Sequence, residues 1–417
     1  MRTSDGVHFG PADGIRAFAI LLVFFDHVGL RAPHRSLVTV GLSLASGGMG
    51  VAALFVLSGF LLSVPYLRAV VDGDRPFPSS RRYAQARFLR IYPLYVFAVV
   101  AIALFVALLE RHTAHLTTWD VVSHLLFLND LQPSSVTSIS PVFWTMAIDV
   151  GFYAMLPPAA WWALRASAGH ARAWRLKLVV RALTAVVLAS IVYRLVAGEV
   201  LHPANAADVV VAIRNVPGMA GLFAIGILAQ ILVRESSARD ILRKRAALVL
   251  TAAGAGAALY LTIALLLVLA KGIASFGMLA IDDTLAAIGA ASLLVFVIVV
   301  SEHPLSRVLS SPAAATAASL SYGWYLFHPT ALDAAQKLTA IASRAFGGVP
   351  AALAYAVMLF LTTLVLVPFC YAIHVWIEKP FLQRKERLRD RGRSSIDVEK
   401  PVYGLDLTRT RNHIASS

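Results

Sequence analysis

Apolar runs of about twenty residues recur along the chain between residues 14 and 377, separated by shorter polar stretches. A run of that length crosses the roughly 30 Å hydrocarbon core of a bilayer as an α-helix. The pattern predicts ten spans, at about 14–32, 47–67, 91–110, 141–164, 180–198, 213–233, 246–270, 283–301, 314–336 and 349–377. The fourth is expected to end at Pro157-Pro158 and Trp161-Trp162, near an interface where tryptophan is favoured. Residues 111–140 read as a long loop with an interfacial helix at Trp119–Leu128. The expected fold is therefore an all-α polytopic membrane protein, a bundle of about ten transmembrane helices. It divides into a cytoplasmic N-terminus (1–13), a transmembrane domain (14–377) and a basic cytoplasmic tail (378–417), disordered beyond about residue 395. No repeat period of 20–50 residues is visible, so a solenoid is excluded.

Composition sharpens this picture. The chain is 58% apolar and 14% charged, against about 25% charged residues in a soluble domain. Its net charge of +14 does not point to nucleic acid, because the basic residues cluster in alternate loops. Those loops are 68–90, 165–181, 234–245 and the tail. With ten spans they all fall on one side, which the positive-inside rule makes the cytoplasm, so both termini face in. The single cysteine, Cys370, excludes an internal disulfide and a cysteine-rich metal site. No phosphate-binding glycine loop and no metal-ligand spacing is present, so no metal is expected. A cleaved signal peptide is not expected, because Asp13, Arg16, Asp26 and His27 stud the first apolar run.

Those four residues carry the first candidate chemistry. Arg16 and His27 are eleven positions apart, three helical turns plus about 20°, so they share a face about 16 Å apart along the axis. Asp13 lies three residues before Arg16 on that face and is expected to pair with it. Charge inside a membrane-length helix is costly, which marks an interior, functional face. At about 1.5 Å per residue, His27 and His328 come out about 20 Å, and Asp149 about 18 Å, from the cytoplasmic ends of their spans. These three groups are expected to share one layer, with Arg16, Arg87 and Arg90 near the cytoplasmic face. A proton-coupled transporter or flippase using Asp149, His27 and His328 is the alternative. The repeated halves common in transporters are not found.

Several blocks resemble one family. They are Leu57-Ser58-Gly59-Phe60; Arg87-Phe-Leu-Arg90-Ile-Tyr92-Pro93; Phe143-Trp144-Thr145 through Asp149 to Tyr153; Leu320-Ser321-Tyr322-Gly323 through Tyr325 to His328-Pro329; and Trp376-Ile-Glu378-Lys379-Pro380. With the opening helix they resemble the acyltransferase 3 family of integral-membrane O-acyltransferases. The resemblance implies transfer of an acyl group, often acetyl, from cytoplasmic acyl-CoA to a hydroxyl of a glycan, glycolipid or other small acceptor. The family's arginine-ten-residues-histidine signature matches Arg16 and His27. Asp149 stands where the family usually has glutamate, and that is the one feature favouring a non-catalytic scaffold. No fused C-terminal esterase-like domain is expected, which leaves the acceptor open. A bacterial inner membrane is the implied location.

The resemblance organises the candidates. Arg16, Arg87, Arg90 and Tyr92 are expected at the acyl-CoA end, since guanidinium forks match phosphate oxygens; Arg87 and Arg90 also read as ordinary cytoplasmic anchors. His27 is the expected general base, with Asp26 or Asp149 orienting or balancing its imidazolium. Ser58, Thr145, Tyr325 and His328 are candidates to steady an oxyanion, and Asp13 and Trp144 complete the substrate-binding set. Trp144 and Tyr92, like Phe60, are residues more often found packing than contacting a ligand.

Overall fold

A computed structural model describes residues 10–31, 47–109, 116–203, 205–269, 276–345 and 350–394. Among these the chain is helical, with no strand. Each predicted apolar run coincides with one long helix: α1 (Gly10–Leu30), α2 (Gly47–Leu67), α3 (Ser80–Leu109), α4 (Trp144–Ala166) and α5 (Arg172–Leu201). These are followed by α6 (Val216–Arg234), α7 (Ala246–Leu269), α8 (Phe276–Val299), α9 (Pro312–Ala345) and α10 (Ala351–Ile373). Among the described residues, six stretches are long and apolar enough to cross a bilayer, those containing α2, α3, α5, α6, α8 and α10. Only 11% of the apolar window of α5 is buried within the protein. Its Leu188, Val192 and Val196 point outward. Such a surface is stable in hydrocarbon, not in water, which makes this an integral membrane protein.

Boundaries depart from the apolar pattern where local chemistry decides. α3 starts eleven residues before its apolar run, just past Pro76 and Pro78. Its basic first turns therefore lie on a continuous helix, and Arg87, Arg90 and Tyr92 keep a fixed phase. α2 runs into a π turn, Arg68–Asp72, which Gly73 closes at φ 71° by donating its N–H to the Arg68 carbonyl at 2.8 Å. α4 passes through Pro157-Pro158 and ends at Ala166, within two residues of the expected end. Away from water, neighbouring groups re-satisfy a backbone that proline interrupts. The tail begins as a helix, Lys379–Ser394, which packs on α3. The stretch expected to be disordered lies outside the described residues.

α1 is central. It packs on α2 on one side and on α9 on the other. α2 packs in turn on α6 and α8, while α9 packs on α10 and α3. The α2–α6 contact is backbone on backbone. A Cβ on Gly59 would overlap the Phe223 carbonyl, and one on Gly226 would overlap the Val56 carbonyl. Small residues at such crossings are how membrane helices gain packing without a hydrophobic driving force between them.

A helix stands between α3 and α4 close to where one was expected. A helix spans Thr118–Leu125, closed by a Thr117/Asp120 capping box. Trp119 and Leu126 face out, but Asp120, Ser123 and His124 are buried. The turns Asn129–Leu131 and Pro133–Val136 then pack against α4 and the helix Ala206–Ile213. Residues 118–136 therefore turn a polar set, Asp120, Ser123, His124, Asn129, Asp130 and Ser135, toward the interior, while Trp119, Leu126 and Leu131 stay exposed.

Candidate functional site

α1 and α9 bring His27 and His328 together. Their ring centroids are 4.9 Å apart, at an interplanar angle of 77°. His328 is fully buried, and Phe24 packs edge-on against its ring. Each imidazole is oriented by its own helix. His27 Nδ1 lies 2.9 Å from the Val23 carbonyl, and His328 Nδ1 lies 2.9 Å from that of Tyr325. A carbonyl only accepts, so both neutral rings carry their proton on Nδ1 and leave Nε2 as a lone pair. His328 Nε2 is buried with no hydrogen-bond partner. Two neutral bases thus converge from distant parts of the chain.

One turn outward the same two helices are tied again. Arg31 Nε donates to Asp333 at 2.6 Å, and Arg31 Nη1 donates to the His27 carbonyl at 3.3 Å. Neither Arg31 nor Asp333 stood among the sequence candidates. The signal available was spacing alone, four residues past His27 and five past His328.

Ser58 donates to Asp149 at 3.3 Å, and Arg16, Tyr153 and Arg87 lie within its electrostatic reach. Thr145, one turn earlier on α4, stands beside Tyr325, its hydroxyl 2.7 Å from the Tyr325 hydroxyl. The Val142 carbonyl accepts from Thr145 at 2.8 Å and lies 3.4 Å from the Tyr325 hydroxyl, so the two hydroxyls share one acceptor. Tyr153, Asp149 and Thr145 follow at intervals of four, a polar stripe about 12 Å long on one face of α4.

Cations gather at the far end of that stripe. Arg16 is within electrostatic reach of Asp13, Asp149 and Arg90. Arg90 is held by Glu378 at 2.5 Å, which also takes His374 at 2.9 Å. Lys385, from the tail helix, lies within reach of Arg16, Arg87 and Arg90, and sequence reasoning missed it because the tail reads as solvated. Arg87 Nε is buried without a partner. Arg87, Tyr92 and Tyr153 line a cavity of about 690 Å³ between α3 and α4. Tyr92 stacks on Phe88 at 4.6 Å.

The remaining candidates lie apart. Asp26 turns away from His27, since adjacent helical residues diverge by about 100°. Its carboxylate lies against Gly47, within reach of Arg214 and Arg31. Arg214 pairs with Asp283 at 3.0 Å, and the fully buried Arg194 donates to the same carboxylate at 3.5 Å and to Thr284 at 2.7 Å. Trp144 packs edge-on against Phe55 in the core. Another residue not foreseen is Trp324, one turn before His328, whose indole Nε1 is a buried donor without a partner. Among the described residues, no group of three or more His, Cys, Asp or Glu side chains could hold a metal ion.

The chain is similar to known proteins over this architecture. The protein named "Putative acetyltransferase ORF330" of Acidianus two-tailed virus is 33% identical over 144 residues, 34% of this chain and 38% of that protein. The one named "Putative peptidoglycan O-acetyltransferase YrhL" of Bacillus subtilis (strain 168) is 28% identical over 156 residues, 35% of this chain and 22% of that protein. The chain thus aligns with well under half the length of each of these relatives. No solved structure is significantly similar. The acyltransferase 3 family model, described as an acyltransferase domain, matches residues 12–374. That match runs from the first turn of α1 through the histidine pair to the end of α10, and the chain belongs to this family.

Proposed function

We propose that the chain is a membrane O-acyltransferase that moves an acyl group, by preference acetyl, from cytoplasmic acyl-CoA to a hydroxyl of a glycan acceptor. In this reading all ten long helices cross a bacterial inner membrane, with both termini cytoplasmic. The supporting observation is the pairing of half-buried His27 with buried His328, 4.9 Å between rings, at the end of a polar stripe that starts among guanidinium groups. Arg16, Arg87, Arg90 and Lys385 receive the phosphates of CoA, and Tyr92 borders the same mouth. The pantetheine arm lies along Tyr153, Asp149 and Thr145. Asp149, with Ser58 and Asp13, balances Arg16 rather than orienting the imidazole.

At the pair, His27 Nε2 takes the acceptor's hydroxyl proton as its oxygen attacks the thioester carbonyl. The C–O bond forms, the C–S bond breaks, and the imidazolium returns the proton to the leaving thiolate. Tyr325, braced by Thr145, positions His328, whose Nε2 accepts a second hydrogen bond from the acceptor. Trp324 Nε1 supplies a donor to the carbonyl oxygen as it gains charge. The acceptor class draws on the name of the Bacillus subtilis relative.

The test uses membranes holding the full chain and radiolabelled acetyl-CoA. His27→Ala is expected to abolish label transfer to cell-envelope glycan, and His328→Ala to reduce it at least tenfold. Transfer by His27→Ala at the wild-type rate removes His27 as the base. Transport of a solute without acyl-CoA consumption replaces the reading altogether.

A further inference from the structure

The tail helix, Lys379–Ser394, lies beyond the family match, which ends at residue 374, yet it reaches the cation cluster at the cytoplasmic mouth. Its register there is fixed. α10 passes without a break through a π turn, His374–Glu378, into the tail. Glu378, which closes that turn, is buried and takes Arg90 of α3 at 2.5 Å and His374 at 2.9 Å. From this anchor the tail helix packs along α3.

Spacing defines the face turned to α3. Glu378, Phe381, Leu382 and Lys385 are withdrawn from solvent, whereas Lys379, Gln383, Arg384, Glu386 and Arg387 are exposed. Positions i, i+3, i+4 and i+7 form one stripe of a helix. As far as Arg387, Lys385 is the one cation on that stripe, about 10.5 Å beyond Glu378 along the axis. α3 runs the opposite way, from its basic first turns inward. The step therefore carries Lys385 past Arg90 to the level of Arg87. In agreement, Arg87, Arg90 and Arg16 lie within its electrostatic reach.

These four cations are not equally compensated. Arg16 has Asp13 and Asp149 within reach, and Arg90 has Glu378. Arg87 Nε is buried without a partner, and among the described residues Lys385 makes no ion pair. The charge left over sits at the outer end of the cluster, where an anion would complete it.

The donor presents its anions in a fixed order. Outward from the thioester come pantetheine, the diphosphate, and then a ribose that carries a 3′-phosphate. With the thioester directed to His27, the inner arginines meet the diphosphate and the outermost cation meets the 3′-phosphate. The side-chain chemistry agrees. Guanidinium forks match the paired oxygens of a diphosphate, while an ammonium is a point charge on a flexible stem. A terminal phosphate monoester, at about −1.5 to −2 near pH 7, suits that point charge.

We propose that Lys385, carried by the tail helix, binds the ribose 3′-phosphate of CoA and makes the protein selective for donors that bear it. This rests on the acyl-CoA reading for its ligand, and the test separates the two. The full chain in lipid nanodiscs is titrated at equilibrium with radiolabelled CoA and with radiolabelled 3′-dephospho-CoA. Melting temperatures and acyl transfer from acetyl-CoA are measured on the same samples. Wild type is expected to bind CoA about tenfold or more tightly than 3′-dephospho-CoA. Lys385→Met should weaken CoA by about that factor, leave 3′-dephospho-CoA within about twofold, and not lower the melting temperature. Lys385→Arg should restore part of the preference. Equal binding of the two ligands by wild type, equal losses for both in Lys385→Met, an undiminished preference in that variant, or no CoA binding at all overturns the proposal. If acyl transfer persists alongside any of the first three, the enzyme reading stands without it. A Lys385-dependent preference with no acyl transfer keeps the 3′-phosphate site and removes the enzyme reading.

Discussion

Arg31 and Asp333 offer the sharpest probe of the histidine pair, because they touch neither imidazole. The Arg31 N–H bonds to the Val28 carbonyl at 3.2 Å, so the helix ends there with an i→i−3 bond. The His27 carbonyl is left for the Arg31 side chain, which reaches it at 3.3 Å while holding Asp333 at 2.6 Å. One guanidinium thus caps α1 at the candidate base and ties it to α9, just beyond His328. A hydrogen bond to a charged group contributes about 1.5–3 kcal/mol, and an exposed ion pair about 0–1 kcal/mol. The Asp333 side chain is 43% exposed and that of Arg31 15%, so screening brings the expected loss on Asp333→Ala to about 1 kcal/mol of stability. Turnover should suffer more. A reacting group misplaced by about 1 Å can cost on the order of 100-fold, so a five- to hundredfold fall in kcat is expected, with KM for acyl-CoA held within about twofold. Arg31→Lys keeps the charge but not the two-point grip, and should recover only part of the rate. Steady-state kinetics in membranes with labelled acetyl-CoA read both constants. A KM effect without a kcat effect, or no effect on either, shows that the tie does not set the geometry of the pair.

Three further outcomes follow from the packing and the charges. Gly226→Ala drives a methyl into the Val56 carbonyl and is expected to cost about 1–3 kcal/mol, whereas Gly254 in α7 has nothing within 4 Å of its Cβ direction, so Gly254→Ala should be neutral or stabilising by up to about 1 kcal/mol; melting temperatures in detergent compare the two. Glu378 is 4% exposed, so Arg90→Met should destabilise by about 3 kcal/mol by stranding its carboxylate, and Arg90→Met/Glu378→Met should be less harmful, which thermal unfolding of the single and double variants tests. The Arg68 side chain, bonded to Asp74 at 2.8 Å, holds that carboxyl below its usual 3.8. Because the folded value is the lower one, this contribution is complete above the ordinary carboxylate range and is lost as pH falls through it. Asp74→Asn should therefore flatten the acid limb of stability slightly, by less than about 1 kcal/mol for an exposed pair.

Much of the architecture was legible because membrane helices are written in long apolar runs. All ten runs became helices, and the errors lay at their ends. Charge does not stop a helix, so Arg81 through Arg90 extended α3 outward. The meeting of His27 and His328 was also within reach, since each sits at a similar distance from the start of its own helix. The stretch before α4, residues 118–143, has no apolar period to read, so its buried polar residues were not foreseen.

That stretch marks where sequence reasoning runs out, and the reason is physical. Hydropathy separates lipid from water, but it has no term for polar side chains placed inside the protein. Asp120, Ser123, His124, Asn129, Ser135 and Ser140 read as solvated loop because most such residues are. In a membrane protein the interior can be more polar than the lipid-facing surface, so a polar segment between two apolar runs can fold inward as readily as outward. Here the capping box at Thr117 starts a helix whose buried face is its polar one, while Trp119 and Leu126 are exposed. Lys385 and Arg31 were missed for a related reason. Each looked like an ordinary solvated cation near the end of a helix, but Lys385 sits within reach of Arg16, Arg87 and Arg90, and Arg31 holds Asp333 and the His27 carbonyl. In such a chain the residues that define chemistry are polar ones withdrawn from both water and lipid, and only contacts between distant segments reveal them.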